Sequence, residues 1–278
     1  MAAALRSLEG RVALVTGAGR GLGGEIARSL ARAGATLAVC DIDEAALADT
    51  RDTVESLGGR CLAVRCDVSS SEDVAAMYRR VVEAFGTVHV LVNNAAIVPS
   101  GPADAERRTR HYAYLSTPVS RQSLRFTSQM SDEEWLRYWD VNVHGVFYCT
   151  REALKLMEPQ HYGRIINIAS IAGMSAMSAH SPHYSATKGA VIAFTKAVAA
   201  EVAGANVFVN ALAPGGVLTP DFAQYLKEAG EEKCRQIWQF CPAGRLGTMD
   251  EYASLVTYLA GEHYLVGQVI SPNGGTVI

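Results

Sequence analysis

Apolar residues fall in two kinds of stretch along this chain. Short runs are apolar at nearly every position: RVALVT (11–16), TLAVCD (36–41), CLAVRC (61–66), VHVLVNN (88–94), RIINIAS (164–170) and VFVNALAP (207–214). Runs of this length without alternation predict strands buried on both faces, as in a parallel sheet. Between them lie longer stretches with helical spacing. IARSLARAG places Ile26, Leu30 and Ala33 on one face and closes on Gly34. Residues 44–57 and 69–86 follow the same rhythm, the latter with Ser and acidic residues suited to a first helical turn. Residues 130–157 predict one long helix, with Ser131 as N-cap and Glu134 completing a capping box. Residues 185–202 are Ala-rich and helical, and 244–261 form the last helix, with Thr248 near its start. GQVISPNGG (267–275) supplies a seventh strand. Strand and helix in strict alternation predict an α/β fold built on a doubly wound, seven-stranded parallel sheet with helices on both faces.

Composition narrows this little. The 278 residues fit one large α/β unit, and 49% hydrophobic residues are ample for its core. The net charge of −3 argues against a nucleic-acid or anionic-membrane partner. No apolar run approaches 18 residues, so no membrane span is expected. The start, MAAALRSLEG, lacks the design of a signal peptide. The six cysteines form no C-x-x-C pair and read as reduced thiols of a cytoplasmic protein. No cluster has metal-ligand spacing, so no metal is expected.

Chemistry enters at the first turn. GAGRGLGG stands between a strand and a helix and contains Thr16-Gly17-x-x-x-Gly21-x-Gly23. Glycines let the backbone approach a ligand, and the helix N-terminus aims N–H groups at it, typically at a diphosphate. The second strand ends in Asp41, twenty residues past Gly21, where an acid meets the hydroxyls of an adenosine ribose. A carboxylate there repels a 2′-phosphate, which favours NAD over NADP; Arg20 pulls mildly the other way. Asp41 also reads as a helix N-cap, with Asp43 as the competing cap. Asp67-Val68 ends the third strand, a position suited to an adenine edge. Asn93-Asn94 ends the fourth, where amide groups can order a neighbouring loop.

Tyr184 and Lys188 lie four apart on a helix and share a face. A phenol with a pKa near 10 becomes a usable acid/base if lowered by two to three units, which takes roughly 3–4 kcal/mol. One cation at about 4 Å in an effective dielectric of about 20 supplies roughly 4 kcal/mol. Lys188 alone is therefore sufficient on this estimate. Ser170 stands at a strand end, where sheets of this kind present reactive groups. Asn142 sits mid-helix, which propensity disfavours. Either a bond to neighbouring backbone or a functional role accounts for it. His180 and His183 read as pocket wall or as satisfied polar side chains rather than as second acid/bases.

Taken together and in order, these residues resemble the short-chain dehydrogenase/reductase family. Thr16-Gly17-x-x-x-Gly21-x-Gly23, Asp41, Asp67-Val68, Asn93-Asn94-Ala95, Asn142, Ser170, Tyr184-x-x-x-Lys188 and Pro214-Gly215 carry the likeness. The resemblance implies a Rossmann-type fold over 1–278 and interconversion of a secondary alcohol and a ketone. It also implies NAD held by Gly17, Arg20, Gly21, Leu22, Gly23, Asp41, Ile42, Asp67, Val68, Asn94, Ala95, Ala96, Tyr184, Lys188, Pro214, Gly215, Val217 and Thr219. Ser170, Tyr184 and Lys188 would be catalytic, with Asn142 carrying a water that extends the proton path. Related proteins are usually tetramers or dimers packed through 131–157 and 184–203. Acyl-thioester ketoreductases and cyclic-diol or hydroxysteroid dehydrogenases are alternative readings within the family.

Two departures stand out. Ala96 replaces the usual glycine after Asn-Asn-Ala and tightens that turn. Residues 98–129 are longer than the family's usual link and carry Arg107, Arg108, Arg110, Arg121 and Arg125. They read either as a solvated loop or as a lid whose arginines meet an anionic substrate group. Residues 216–243 are expected to cover the substrate. They break near Gly230 and present Phe222, Tyr225, Ile237, Trp238 and Phe240 as an apolar face.

Overall fold

A computed structural model describes residues 8–278; the side chains at 221, 225, 229, 232, 233, 236 and 237 fall outside the described set. The expected apolar contributions of Tyr225 and Ile237 therefore lie outside the described residues. In chain order the elements are β1 (Val12–Thr16), α1 (Gly21–Arg32), β2 (Thr36–Asp41), α2 (Glu44–Ser56), β3 (Cys61–Arg65), α3 (Ser71–Phe85), β4 (Val90–Asn93), α4 (Pro102–Ser116) and α5 (Asp132–Trp139). A π-helical turn (Asp140–His144) leads into α6 (Gly145–Met157), followed by β5 (Gly163–Ile168), α7 (Pro182–Val202), β6 (Val207–Leu212), β7 (Val217–Leu218) and α8 (Pro220–Trp238). β8 (Gly247–Thr248), α9 (Met249–Ala260) and β9 (Val269–Ile270) complete the order.

Seven strands form one parallel sheet in the order β3-β2-β1-β4-β5-β6-β9, and β7 pairs with β8 apart from it. This is the expected Rossmann-type architecture. Its strands lack alternation because both faces are covered. Ala13, Val15, Leu37, Val39, Val90 and Val92 face one core with α1 and α9, while Val12, Leu14, Ala38, Cys40 and Leu91 face another with α3, α6 and α7. The strand order reverses between β1 and β4, which opens a crevice at the carboxyl ends of those two strands.

Local signals act where expected, with two differences. Asp43, not Asp41, caps α2 through Ala46 N–H. Ser131 caps α5, but the Glu134 carboxylate bonds Arg107 rather than closing the box, because an ion pair with a guanidinium outweighs a backbone N–H. Residues 132–157 are helical throughout but pass through the π turn that holds Asn142. α8 is broken at Gly230, whose φ of 77° lies outside any right-handed helix. Among the described residues no helix is long and apolar enough to cross a membrane, and all six cysteines are free thiols.

Candidate active site

The glycine turn is held from below by β4. The Thr16 hydroxyl accepts the N–H groups of Asn94 and Ala95, both at 3.0 Å. The Asn94 amide donates back to Thr16 O (3.0 Å) and Gly17 O (2.9 Å). Gly17 has φ +62°, and a Cβ there would stand 2.7 Å from the Ala95 Cα. A Cβ on Gly23 would meet the Gly17 carbonyl and the Asn94 amide nitrogen. Both positions require glycine, for these two separate reasons. Helix α1 begins at Gly21 with no side-chain cap, so its first N–H groups are left for a ligand.

Asp41 ends β2 against this turn. Its carboxylate accepts Gly19 N–H at 3.0 Å and Asp43 N–H at 3.2 Å. Ile42 follows, 63% exposed at the same edge. Arg20 points outward, with its guanidinium 3.9 Å from the Asp43 carboxylate. Asp67 is occupied by a turn, accepting Ser69 N–H (2.9 Å) and the Ser69 hydroxyl (2.7 Å). The Val68 side chain is buried against Gly145. Uncapped N–H groups, positive-φ glycines and an edge carboxylate fit a dinucleotide in which the diphosphate meets α1 and a ribose meets Asp41.

Asn142 is fully buried. Its amide oxygen accepts Ile97 N–H (2.8 Å), and its nitrogen donates to Ile97 O (3.0 Å) and to the Thr187 hydroxyl (3.3 Å). It thus ties the chain after β4 to α7, from a π turn of the kind often found at functional sites. Bonding to backbone accounts for its place in the helix, and the Thr187 bond sets it beside α7.

Ser170 leaves β5 and accepts Ala172 N–H at 3.1 Å. It also lies close enough to the Tyr184 phenol to favour the phenolate. Lys188 is buried, donates to Ile168 O at 2.8 Å, and has its Nζ 5.7 Å from the Tyr184 ring centroid. The amine thus lies beside the phenol ring and is hydrogen-bonded to a carbonyl. Burial dominates both groups. It raises the Tyr184 pKa above the ordinary value, partly offset by Ser170, and it lowers Lys188 to about 8. Low dielectric favours the uncharged form of each. The expectation that Lys188 alone lowers the phenol is therefore corrected: within this chain the neutral phenol is favoured.

The turn after β6 closes the crevice. Pro214 O accepts Ile171 N–H at 3.1 Å, binding it to the segment after Ser170. Gly215 packs on Asn273, with a Cβ position 2.7 Å from the Asn273 Cα. Val217 lies in β7, and the Thr219 hydroxyl accepts Phe222 N–H at 3.3 Å, leaving its O–H free to donate. Half-buried Ala95 and Ala96 line the opposite rim, beyond β4.

Residues 98–129 are not an irregular loop throughout, since residues 102–116 form α4. Four of their five arginines are engaged within the chain. Arg107 bonds Asp104 (2.7 Å) and Glu134, Arg108 bonds Pro99 O (2.6 Å), and Arg110 bonds Leu124 O (3.2 Å) while lying over Phe126. Arg121 lies over Tyr114. This removes the support that Arg107, Arg108, Arg110 and Arg121 gave to an arginine lid awaiting an anion. Asp104, Glu134 and His183 come together from three helices, a grouping of metal-donor types that no local spacing reveals. Arg107 already bridges the two carboxylates as their cation. His183 is sealed with no hydrogen bond at either ring nitrogen, while Nε2 stands 3.5 Å from a Glu134 carboxylate oxygen and 3.9 Å from Asp104. Its ring meets Tyr138 edge-on at 4.0 Å, and burial lowers its pKa, both of which suit a neutral imidazole.

The geometry can now be set beside known proteins. The profile of the short chain dehydrogenase family matches residues 11–230. A 3-oxoacyl-[acyl-carrier-protein] reductase from Synechocystis is 35% identical over 99% of this chain and all of its own length. A short-chain type dehydrogenase/reductase from Mycobacterium marinum superposes with TM-score 0.79 at 31% identity, covering 97% of this chain and 96% of that one. A 7α-hydroxysteroid dehydrogenase, solved with NADH and 7-oxo glycochenodeoxycholic acid, gives TM-score 0.81 at 28% identity over 98% and 95%. The chain belongs to the short-chain dehydrogenase family and is an oxidoreductase of that family, acting on CH–OH or keto groups with a nicotinamide cofactor.

Proposed function

We propose that this protein interconverts a secondary alcohol and its ketone with NAD, using Tyr184 as general acid/base. The observation that carries the reading is the convergence of Ser170, Tyr184 and the buried Lys188, whose Nζ lies 5.7 Å from the Tyr184 ring centroid, at the carboxyl end of β5 beside the glycine turn. Bound in the crevice, the nicotinamide ring supplies the hydride acceptor or donor. The chain's own groups handle the proton. In the reducing direction Tyr184, neutral by burial, donates its O–H to the substrate oxygen. Ser170 turns its hydroxyl hydrogen to that oxygen and stabilises the charge developing there. In the oxidising direction Tyr184 as phenolate takes the alcohol proton. Lys188, its pKa lowered by burial to about 8, relays protons behind the phenol, and Asn142 beside Thr187 continues that path toward solvent.

NAD is favoured over NADP because the Asp41 carboxylate stands at the ribose end of the glycine turn. Residues 216–243 cover the substrate. The thiols support a cytoplasmic location. Exposed Trp135, Leu136 and Phe147 on α5 and α6 support a homo-oligomer packed through these helices and α7. A second reading, reduction of a 3-oxoacyl thioester, is favoured by the name of the Synechocystis relative. Asp41 speaks against it if the cofactor is NADPH.

The test is cofactor reduction with NAD across cyclic, aromatic and hydroxyacyl secondary alcohols, with the matching ketones and NADH in reverse. Turnover with at least one cyclic or aromatic pair is expected. Turnover confined to hydroxyacyl thioesters would select the second reading. Tight NADH binding with no turnover on any substrate would make the chain a binding protein.

A further inference from the structure

Helix α4 does more than fill space beside the crevice. His111 on α4 and His180 on the segment between Ser170 and Tyr184 are both buried, with their Nδ1 atoms 3.2 Å apart. Tyr112 meets the His180 ring edge-on at 5.7 Å and stacks on Phe240 at 6.3 Å with 20° between planes. Phe240 follows α8. Three segments thus converge: the added helix, the approach to Tyr184 and the end of the α8 cover. His180 precedes Tyr184 by four residues, and four residues of chain span at most about 14 Å. The cluster is therefore within reach of a substrate seated on Tyr184.

The chemistry of the pair follows from its hydrogen bond. Burial lowers the pKa of both imidazoles, His180 to about 4, so both are neutral at neutral pH. A neutral imidazole has one N–H and one bare nitrogen. An Nδ1···Nδ1 bond uses the N–H of one ring and the bare nitrogen of the other. The first ring is then left with a bare Nε2, and the second with an Nε2–H. The pair as a unit presents one acceptor and one donor. Neither Nε2 is hydrogen-bonded among the described residues, and neither is among the sealed polar atoms.

A hydroxyl matches that display, since it accepts one hydrogen bond and donates another. A carbonyl uses the donor alone. A carboxylate sets its charge against a bare nitrogen, and Arg107 and Arg108 beside the pair are already engaged with Asp104, Glu134 and Pro99 O. We propose that His111 and His180 are specificity-determining residues that bind a second hydroxyl of the substrate, with Tyr112 and Phe240 supporting the ring that carries it. The substrate class is a ring-bearing diol, or a hydroxyketone in the reducing direction. This rests on the alcohol–ketone reading above.

The experiment compares kcat/KM with NAD for cyclic and fused-ring diols against the matched mono-alcohols, in wild type, His111→Asn, His111→Gln and Tyr112→Ala, with Tyr184→Phe as control. Sites that hydrogen-bond a substrate hydroxyl discriminate strongly against analogues lacking it. For a pair at the solvent margin, wild type should favour at least one diol by roughly tenfold or more. Asparagine places its amide near Nδ1, and glutamine places its amide near Nε2. His111→Asn should therefore bring the ratio close to one through a higher KM for the diol, while His111→Gln should retain part of it. Tyr112 is half-buried, and Tyr112→Ala should weaken binding of ring substrates with the diol ratio largely kept. Melting temperatures identify any variant that fails to fold; the wild-type ratio and Tyr112→Ala then decide. A wild-type ratio near one across the series, or an unchanged ratio in folded His111→Asn, overturns this proposal. Inactivity of wild type on every alcohol, or full activity of Tyr184→Phe, overturns the underlying reaction instead.

Discussion

Replacing Asp41 by Asn removes one charge at nearly constant shape and isolates what that charge does for cofactor choice. The carboxylate is half-buried and held by Gly19 N–H and Asp43 N–H, so its position beside the glycine turn is fixed. A 2′-phosphate on the neighbouring ribose would approach to about 4–5 Å. Per pair of unit charges, repulsion at that range is between ~1 kcal/mol in water and ~4 kcal/mol at an effective dielectric of 20. Solvent contact at Asp41 places the value low in that range, about 1–1.5 kcal/mol. A phosphate carrying about −1.5 to −2 charge then loses about 1.5–3 kcal/mol, a preference for NAD of roughly 12- to 150-fold. Arg20 works against this, but its side chain is 83% exposed and its nearest carboxylate is Asp43. Initial rates with NAD and NADP give kcat/KM for each. Asp41→Asn should reduce the NAD:NADP ratio by about tenfold or more, mainly by improving NADP. The amide oxygen still accepts one of the two backbone N–H groups while the NH2 faces the other, so the melting temperature should fall modestly. A ratio unaltered by Asp41→Asn would refute the placement of the ribose at this carboxylate.

Two further outcomes concern stability. Lys188 titrates at about 8 in the fold, against about 10.4 unfolded, so folding at neutral pH carries the cost of protonating a buried amine. That cost is full below about pH 8, falls as pH rises toward 10.4 and is absent above it. The melting-temperature advantage of Lys188→Met over wild type should therefore shrink from pH 7 to pH 10; a constant difference contradicts the burial argument. Arg107→Met leaves Asp104 and Glu134 without their cation in a largely buried site. Unfolding by urea should show a loss of about 3 kcal/mol, near the lower end for a broken buried pair. A loss below about 0.5 kcal/mol would mark the pair as a surface-type contact.

Most of the sheet was legible in the sequence because a strand buried on both faces leaves a continuous apolar run. The glycine turn was legible because its conformational demand leaves few residue choices, as Gly17 and Gly23 show. The Tyr184–Lys188 pairing was legible from spacing, but its electrostatics were not. Sequence spacing gives a shared helix face; it does not reveal that Lys188 bonds the Ile168 carbonyl or that burial outweighs the neighbouring charge. The same limit applies to residues 98–129. Their arginines looked available because their partners, such as Glu134 and Pro99, are set by how α4 packs and not by any local pattern. His111 left no signal at all. A lone histidine on a polar helix acquires meaning once His180 stands 3.2 Å away.

The central claim is that the Tyr184 hydroxyl moves the proton while the rest of the crevice holds the cofactor. Rapid mixing of Tyr184→Phe with NADH and then with a ketone that wild type reduces measures both in one experiment. The account predicts NADH binding within about threefold of wild type and hydride transfer slower by about 10²- to 10⁴-fold, the range for loss of a general acid. Hydride transfer in Tyr184→Phe at the wild-type rate would contradict it.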